Sequence, residues 1–237
     1  MPQCQIAKHH SYDKYKILLF DADETLLDFP ASEKEALKKV LEHFGIRYSE
    51  EFRATFSAIN LALWKQLEKG LVTRDIIRIR RFEQFVQTTG ITADPKEMSA
   101  LYVKFLGESC FVLPGAAELC DKLKEKYELY IVTNGIGTVQ QSRLKKSGLL
   151  PYFKDVFISE EIGSQKPDKR FFDFIFAKIA EKDKSKFIII GDSMTSDILG
   201  GINAGIDTCF FNPWGREEIY TPTYTVTSFE ELENLFS

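Results

Sequence analysis

The sequence predicts an α/β protein built on a parallel sheet of doubly wound type, with a helical segment inserted after the first strand. Three observations predict it. Five short apolar runs read as strands buried on both faces, helices or connections separate the later ones, and one long stretch carries helical periodicity only.

The five strand candidates are residues 16–20, 129–132, 155–159, 187–190 and 208–211. Each is rich in Ile, Val, Leu or Phe and is continuous rather than alternating, as expected of strands covered by helices on both sides. Helical segments are expected at 115–126 before the second strand and 139–147 after it, then at 168–181 before the fourth and 196–204 after it. Between the first strand and the Pro114-Gly115 turn there is no convincing strand. Ser32 followed by Glu35 reads as a capping box before Ala36-Leu37-Lys38-Lys39-Val40-Leu41, and helical periodicity continues over 52–67, 73–88 and 95–106. The expected division is a catalytic core of residues 14–29 and 112–237 with a helical cap of residues 30–111. Residues 1–13 are polar, lack an apolar h-region, and read as a loosely ordered leader.

Composition narrows the partners. Of 237 residues, 44% are hydrophobic and 28% charged, with a formal net charge of −4, so no nucleic-acid polymer or anionic membrane is expected as a partner. No apolar stretch approaches the roughly 20 residues that span a bilayer. Cys4, Cys110, Cys120 and Cys209 show no zinc or redox spacing, and a reducing, cytoplasmic setting is the simplest expectation. His9, His10 and His43 form no metal-binding pattern.

Four motifs stand at strand ends or helix starts. Asp21 and Asp23 follow the first strand, where open α/β sheets bind their ligands; an Asx turn or helix cap is the ordinary alternative for either residue. Thr133-Asn134-Gly135 ends the second strand and offers a hydroxyl and backbone amides, though Asn-Gly is also a plain turn signal. Lys166-Pro167-Asp168 opens a helix, and Lys166 alone would pass for a solvated surface charge. Gly191-Asp192 and Asp197 follow the fourth strand, where either aspartate could be merely an N-cap. In a parallel sheet these ends share one edge. Clustered carboxylates then call for a cation, and an oxygen-only set suits Mg²⁺. A lysine, a hydroxyl and backbone amides suit a phosphoryl group.

In order and content these motifs resemble those of the haloacid-dehalogenase-like hydrolase superfamily: Asp-x-Asp-x-Thr at 21–25, Thr-Asn-Gly at 133–135, Lys-Pro-Asp at 166–168 and Gly-Asp-x₄-Asp at 191–197. The resemblance implies a Rossmann-like core, a helical lid and Mg²⁺ dependence. It implies that Asp21 attacks phosphorus and becomes an aspartyl-phosphate, and that Asp23 is the general acid and base. Thr133 and the Asn134 amide would bind phosphoryl oxygens, and Lys166 would hold Asp21 and phosphate in register. Mg²⁺ would lie on Asp21, the Asp23 carbonyl oxygen and Asp192, with Asp197 orienting its water ligands.

The strings Asp21-Ala-Asp-Glu-Thr-Leu, Ile131-Val-Thr-Asn-Gly, Ile158-Ser-Glu-Glu-Ile-Gly and Ser196-Asp-Ile-Leu-Gly-Gly-Ile-Asn-Ala-Gly are similar to bacterial pyrimidine 5′-nucleotidases, and Glu24 stands where many relatives have Gly. This implies a nucleoside monophosphate as the small phosphorylated substrate. The rivals are a sugar-phosphate phosphatase or mutase on the same scaffold, a dehalogenase, and, from another class, a non-enzymatic phospho-aspartate receiver or binding protein. In the cap, Trp64, Phe82 and Phe85 are candidates for stacking on a base, and Arg74, Arg78 and Arg81 for meeting a phosphate or carbonyl. The plainer reading makes them cap core and wet surface. Asn212-Pro213-Trp214-Gly215-Arg216 is either a rim of the site or a plain turn.

Overall fold

The structure is a computed structural model and describes residues 14–237; the expected leader at 1–13 lies outside them. In chain order the elements are β1 (Ile17–Phe20), α1 (Phe29–His43), α2 (Glu50–Glu68), α3 (Arg74–Thr89), α4 (Pro95–Glu108), α5 (Ala116–Leu123), β2 (Glu128–Thr133) and α6 (Gly137–Ser147). They continue as β3 (Asp155–Ile158), α7 (Ser159–Ile162), α8 (Lys169–Lys178), β4 (Phe187–Gly191), α9 (Leu199–Ala204), β5 (Asp207–Phe211), β6 (Tyr224–Val226) and α10 (Phe229–Phe236).

The six strands form one parallel sheet in the order β3-β2-β1-β4-β5-β6, which is the doubly wound Rossmann-like arrangement. Its central register sets Leu19 opposite Tyr130 on one side and Ile189 on the other. Because strand side chains alternate in direction, one buried set fills each face. Leu18, Phe20, Ile131, Ile188 and Ile190 pack with Leu119 of α5 and Leu232 of α10. Ile17, Leu19, Val132 and Ile189 pack with Phe171 and Ile175 of α8 and Ala204 of α9. Each such aliphatic chain contributes about 1.5–3 kcal/mol by leaving water. Two layers of helix on the sheet explain why the strands read as continuous apolar runs.

Helices α1 to α4 form the inserted segment. Their shared core joins Leu37, Val40 and Leu41 of α1 with Phe56, Phe82, Phe85, Met98 and Tyr102, and it takes in Ile136 and Val139 at the start of α6. The expected capping box at Ser32 is not formed. The cap of α1 is Asp28, whose carboxylate accepts from the Ala31 amide at 2.8 Å, and Ser32 lies inside the helix with its hydroxyl donating to the Asp28 carbonyl at 2.9 Å. Pro30, preset for a first helical turn, explains the earlier start.

The sequence reading missed three elements, the short α7 and the later β6 and α10. It also ran 196–204 as one helix, whereas Met194–Ile198 winds as a π turn before α9 begins. No helix among the described residues is long and apolar enough to cross a membrane.

Leu19 sits fully buried on the central strand. Leu19→Ala is expected to cost about 2–5 kcal/mol, seen as a lower urea midpoint with an unchanged m-value.

Candidate active site

The chain reverses its winding between β1 and β4, and the carboxyl ends of those strands, together with β2, are where an open α/β sheet leaves a crevice. Asp21 follows β1, Thr133 ends β2, and Asp192 follows β4. The turn after β4 brings Asp197 back, so that carboxylate oxygens of Asp21, Asp192 and Asp197 all lie within 4.8 Å of one another. Into this group reaches Lys166, whose ammonium donates to Asp21 Oδ1 at 2.5 Å, Asp197 Oδ1 at 2.7 Å and the Val132 carbonyl at 2.7 Å. Lys166 is 1% exposed, which rules out the solvated-charge alternative.

Burial and mutual repulsion shape the protonation of this group. Burial pushes the Asp21 carboxyl well up; Lys166 opposes that, while Asp197 and Asp192 push it higher. Asp192 is raised to about 7 by burial, then by Asp197 and Glu24, with Arg216 opposing. Burial would lower Lys166, but the Asp197 and Asp21 carboxylates outweigh it and hold the ammonium charged. Lys166, with Arg216 shared between Asp192 and Glu24, does not balance these carboxylates, so the donor set, oxygens only, fits a hard divalent cation.

Two glycines permit the close packing. A Cβ on Gly191 would stand 2.3 Å from Asp197 Cγ, and one on Gly135 would stand 2.5 Å from Gln140 Cγ. Asn134 spends its side chain on Lys166: its Oδ1 accepts from the Lys166 amide at 3.0 Å and its Nδ2 donates to the Lys166 carbonyl at 2.8 Å. The Thr133 hydroxyl accepts from the Gly135 amide at 3.1 Å and from Gln140 Nε2 at 2.8 Å.

Asp23 has partners that sequence reasoning did not find. Arg143 Nη1 donates to its Oδ1 at 2.5 Å and Gln140 Nε2 to its Oδ2 at 2.9 Å. Arg143 is itself 1% exposed and braced by Gln140 Oε1 at 3.0 Å and Ser32 Oγ at 3.3 Å. Both partners stand on α6, three residues apart on one helical face, and nothing in a helix of that composition marks them as pointing at a strand end. Glu24 adopts a left-handed φ of 59°, uncommon for a side chain of this kind. Its carboxylate accepts from Arg216 Nη2 at 2.6 Å, and Arg216 Nη1 also donates to Asp192. The 212–216 segment is therefore both turn and rim. Asn212 Oδ1 and Nδ2 pair with the Arg216 amide and carbonyl at 2.7 and 2.9 Å, closing the turn, while the Arg216 side chain extends into the site.

A cavity of about 690 Å³ opens between this edge and the helical segment, lined by Asp21, Asp23, Thr133 and Asp192 below and by Phe29, Glu33, Asn60, Trp64 and Arg81 above. It sorts the six cap candidates. Trp64 and Arg81 line it. Phe82 and Phe85 are fully buried in the helical core and cannot stack on a ligand. Arg74 and Arg78 instead tie the segment to α7, just past the end of β3: Arg74 Nη2 donates to Ser159 Oγ at 2.5 Å and Arg78 Nη2 to Glu160 Oε1 at 2.6 Å.

A Rossmann-like sheet with a buried lysine–carboxylate group at its switch point and helices folded over that edge defines a hydrolase of the two-layered, capped kind. The chain belongs to the haloacid dehalogenase-like hydrolases, whose family model matches residues 15–205. It is 42% identical over 221 residues to pyrimidine 5′-nucleotidase PynA from Streptococcus pneumoniae, covering 92% of this chain and 93% of that one. It is 35% identical over 224 residues to pyrimidine 5′-nucleotidase YjjG from Escherichia coli, covering 94% and 98%. The crystal structure of HAD-hydrolase YfnB from Bacillus subtilis, bound to magnesium and described as revealing interdomain movement, superposes with a TM-score of 0.90 at 40% identity, covering 94% of this chain and 99% of that one.

Gly191→Ala forces its new methyl group onto the Asp197 carboxylate. A loss of about 1–3 kcal/mol is expected from such overpacking, measured as a lower thermal midpoint by circular dichroism.

Proposed function

We propose that the protein is a Mg²⁺-dependent phosphomonoesterase working through an aspartyl-phosphate on Asp21, with a pyrimidine nucleoside monophosphate as substrate. The observation that carries the chemistry is the placement of Asp21 at the end of β1, 2.5 Å from a buried, charged Lys166 and open to the cavity. The nucleotide reading is supported by PynA and YjjG, whose likeness runs through the helical segment as well as the sheet.

In this scheme an Asp21 oxygen attacks phosphorus and the bond to the ester oxygen breaks. Asp23 gives its proton to the departing alkoxide, and then takes one from the water that attacks the acyl phosphate. Phosphate leaves and the Asp21 carboxylate is restored. Lys166 keeps the nucleophile in place and offsets the charge of the incoming dianion, while the Thr133 hydroxyl and the Asn134 amide hold phosphoryl oxygens. Mg²⁺ would rest on Asp21, Asp192 and the Asp23 carbonyl oxygen, and would supply Lewis-acid neutralisation of the phosphate charge. Both carboxylate oxygens of Asp197 already accept, from Lys166 at 2.7 Å and from the Ser193 amide at 3.0 Å, which supports an orienting rather than a ligating role.

The division we favour is a core of 14–29 and 112–237 with a cap of 30–111. The protein is placed in the cytoplasm, a placement that its unpaired Cys110, Cys120 and Cys209 suit.

Phosphate release from a panel of nucleoside monophosphates and sugar phosphates tests this reading. Turnover of UMP, dUMP or dTMP should be abolished by EDTA and by Asp21→Asn, and should fall about 10²–10⁴-fold in Asp23→Asn. Preference for sugar phosphates would keep the chemistry and move the substrate; no metal-dependent release from any member would sink the enzyme reading.

A further inference from the structure

The lower part of the cavity accounts for a phosphate. Its upper part sets a hydrogen-bonded cluster among apolar side chains such as Phe29, Leu61 and Trp64, an arrangement built by helical spacing. Phe29 and Glu33 lie four apart on α1, and Arg53, Ser57, Asn60 and Trp64 recur every three or four residues on α2, so one stripe of each helix faces the cavity. Ser57 Oγ donates to Glu33 Oε2, Asn60 Nδ2 donates to Glu33 Oε1 at 2.9 Å, and Arg81 Nη1 donates to Asn60 Oδ1 at 3.3 Å. Glu33, Asn60 and Arg81 are 4%, 2% and 1% exposed.

Arg81 is under-used where it stands. Its Nε and Nη2 have no hydrogen-bond partner, and its guanidinium lies with Cζ 4.2 Å from the centre of the Tyr102 ring. A cap that needed only packing would do better with an aliphatic side chain there, because a buried guanidinium with one long hydrogen bond is costly. The charge of Glu33 compensates part of that cost, and such a pair in a sealed core would be a structural device. This pair instead stands directly behind the cavity surface: both members border the cavity, Glu33 at 4% and Arg81 at 1% exposure.

We propose that Glu33, Ser57, Asn60 and Arg81 form the subsite that reads the hydrogen-bonding edge of a uracil-type base, with the Trp64 ring beside it as an apolar face. The unmatched N–H groups of Arg81 donate to a ring carbonyl. The spare lone pairs of the Glu33 carboxylate accept from the adjacent imide N–H. That donor–acceptor alternation matches uracil or thymine and opposes cytosine, whose ring nitrogen at the same place is an acceptor. The inference rests on the nucleotidase reading and assigns its selectivity to four residues of the cap.

The test compares kcat/KM for UMP, CMP and ribose 5-phosphate in wild type, Arg81→Met, Ser57→Ala and Glu33→Gln. The methionine fills much of the arginine's volume over Tyr102, and the exposed-side Ser57→Ala serves if that variant folds poorly. For Arg81→Met the UMP to ribose 5-phosphate ratio should fall about tenfold to a hundredfold, the range for a lost hydrogen bond to a charged group. Glu33→Gln, which gains an amide donor, should move the UMP to CMP ratio toward CMP. Equal losses on all three substrates would overturn the subsite while leaving the nucleotidase reading intact. A wild type that handles UMP no better than ribose 5-phosphate would overturn that reading, and the subsite with it.

Discussion

Lys166 carries an ammonium group almost wholly out of water, between the carboxylates of Asp21 and Asp197 and against a backbone carbonyl of β2. An isolated buried charge of this kind would cost several kcal/mol. Here the cost is met because three separate parts of the chain converge on it, each from the end of a central strand. The convergence depends on the parallel order β2-β1-β4, which sets those ends side by side. It depends also on Asn134, which clamps the backbone of Lys166 through both its side-chain atoms. The sheet therefore does more than supply a core: its register fixes the spacing of charges that could not otherwise coexist.

The second layer answers to a different physics. The helical segment is held to the rest of the chain by two unlike kinds of contact. Ile136 and Val139 at the start of α6 enter its apolar core, a continuation of hydrophobic packing. Other links are polar: Lys65 to Thr195 at 2.5 Å, Gln165 to the Leu67 carbonyl at 2.8 Å, and the Arg74 and Arg78 bonds to Ser159 and Glu160. Half-exposed polar links exchange readily with water and are each worth about 1 kcal/mol or less. The polar links are therefore the cheaper ones to part, and the apolar contact with α6 contributes more to holding the two layers together.

Much of this was legible in the sequence, and the failures have physical causes. The five strands with continuous apolar runs were readable because helices cover both their faces. β6 was not, because a three-residue edge strand, Tyr224–Val226, buries only Val226 and shows no run. α10 carried a signal that went unread: Ser228 accepts from the Glu231 amide at 3.1 Å, a capping-box pair spelled in the sequence, with Leu232 and Phe236 behind it. The residues at strand ends could be found because topology alone brings Asp21, Thr133, Lys166, Asp192 and Asp197 together. Arg143 and Gln140 could not, since their importance lies in where α6 points, a property of packing. In the cap, Phe82 and Trp64 look alike as letters. Only the packing of α2 on α3 separates a core ring from a cavity wall.

That contrast bears on how such a chain can keep its chemistry and change its substrate. Groups on strand ends are fixed by ladders of hydrogen bonds and by glycines that admit no Cβ, as Gly191 and Gly135 show. Substituting them disturbs the sheet itself. Residues on the cavity face of α1 and α2 sit on a helical bundle whose core is separate from the two sheet cores, so their exchange leaves the carboxylate–lysine group untouched. Arg143 is one point where the two layers meet. From α6 it holds Asp23 and also touches Ser32 of α1, so it couples the helical segment directly to one carboxylate of the site.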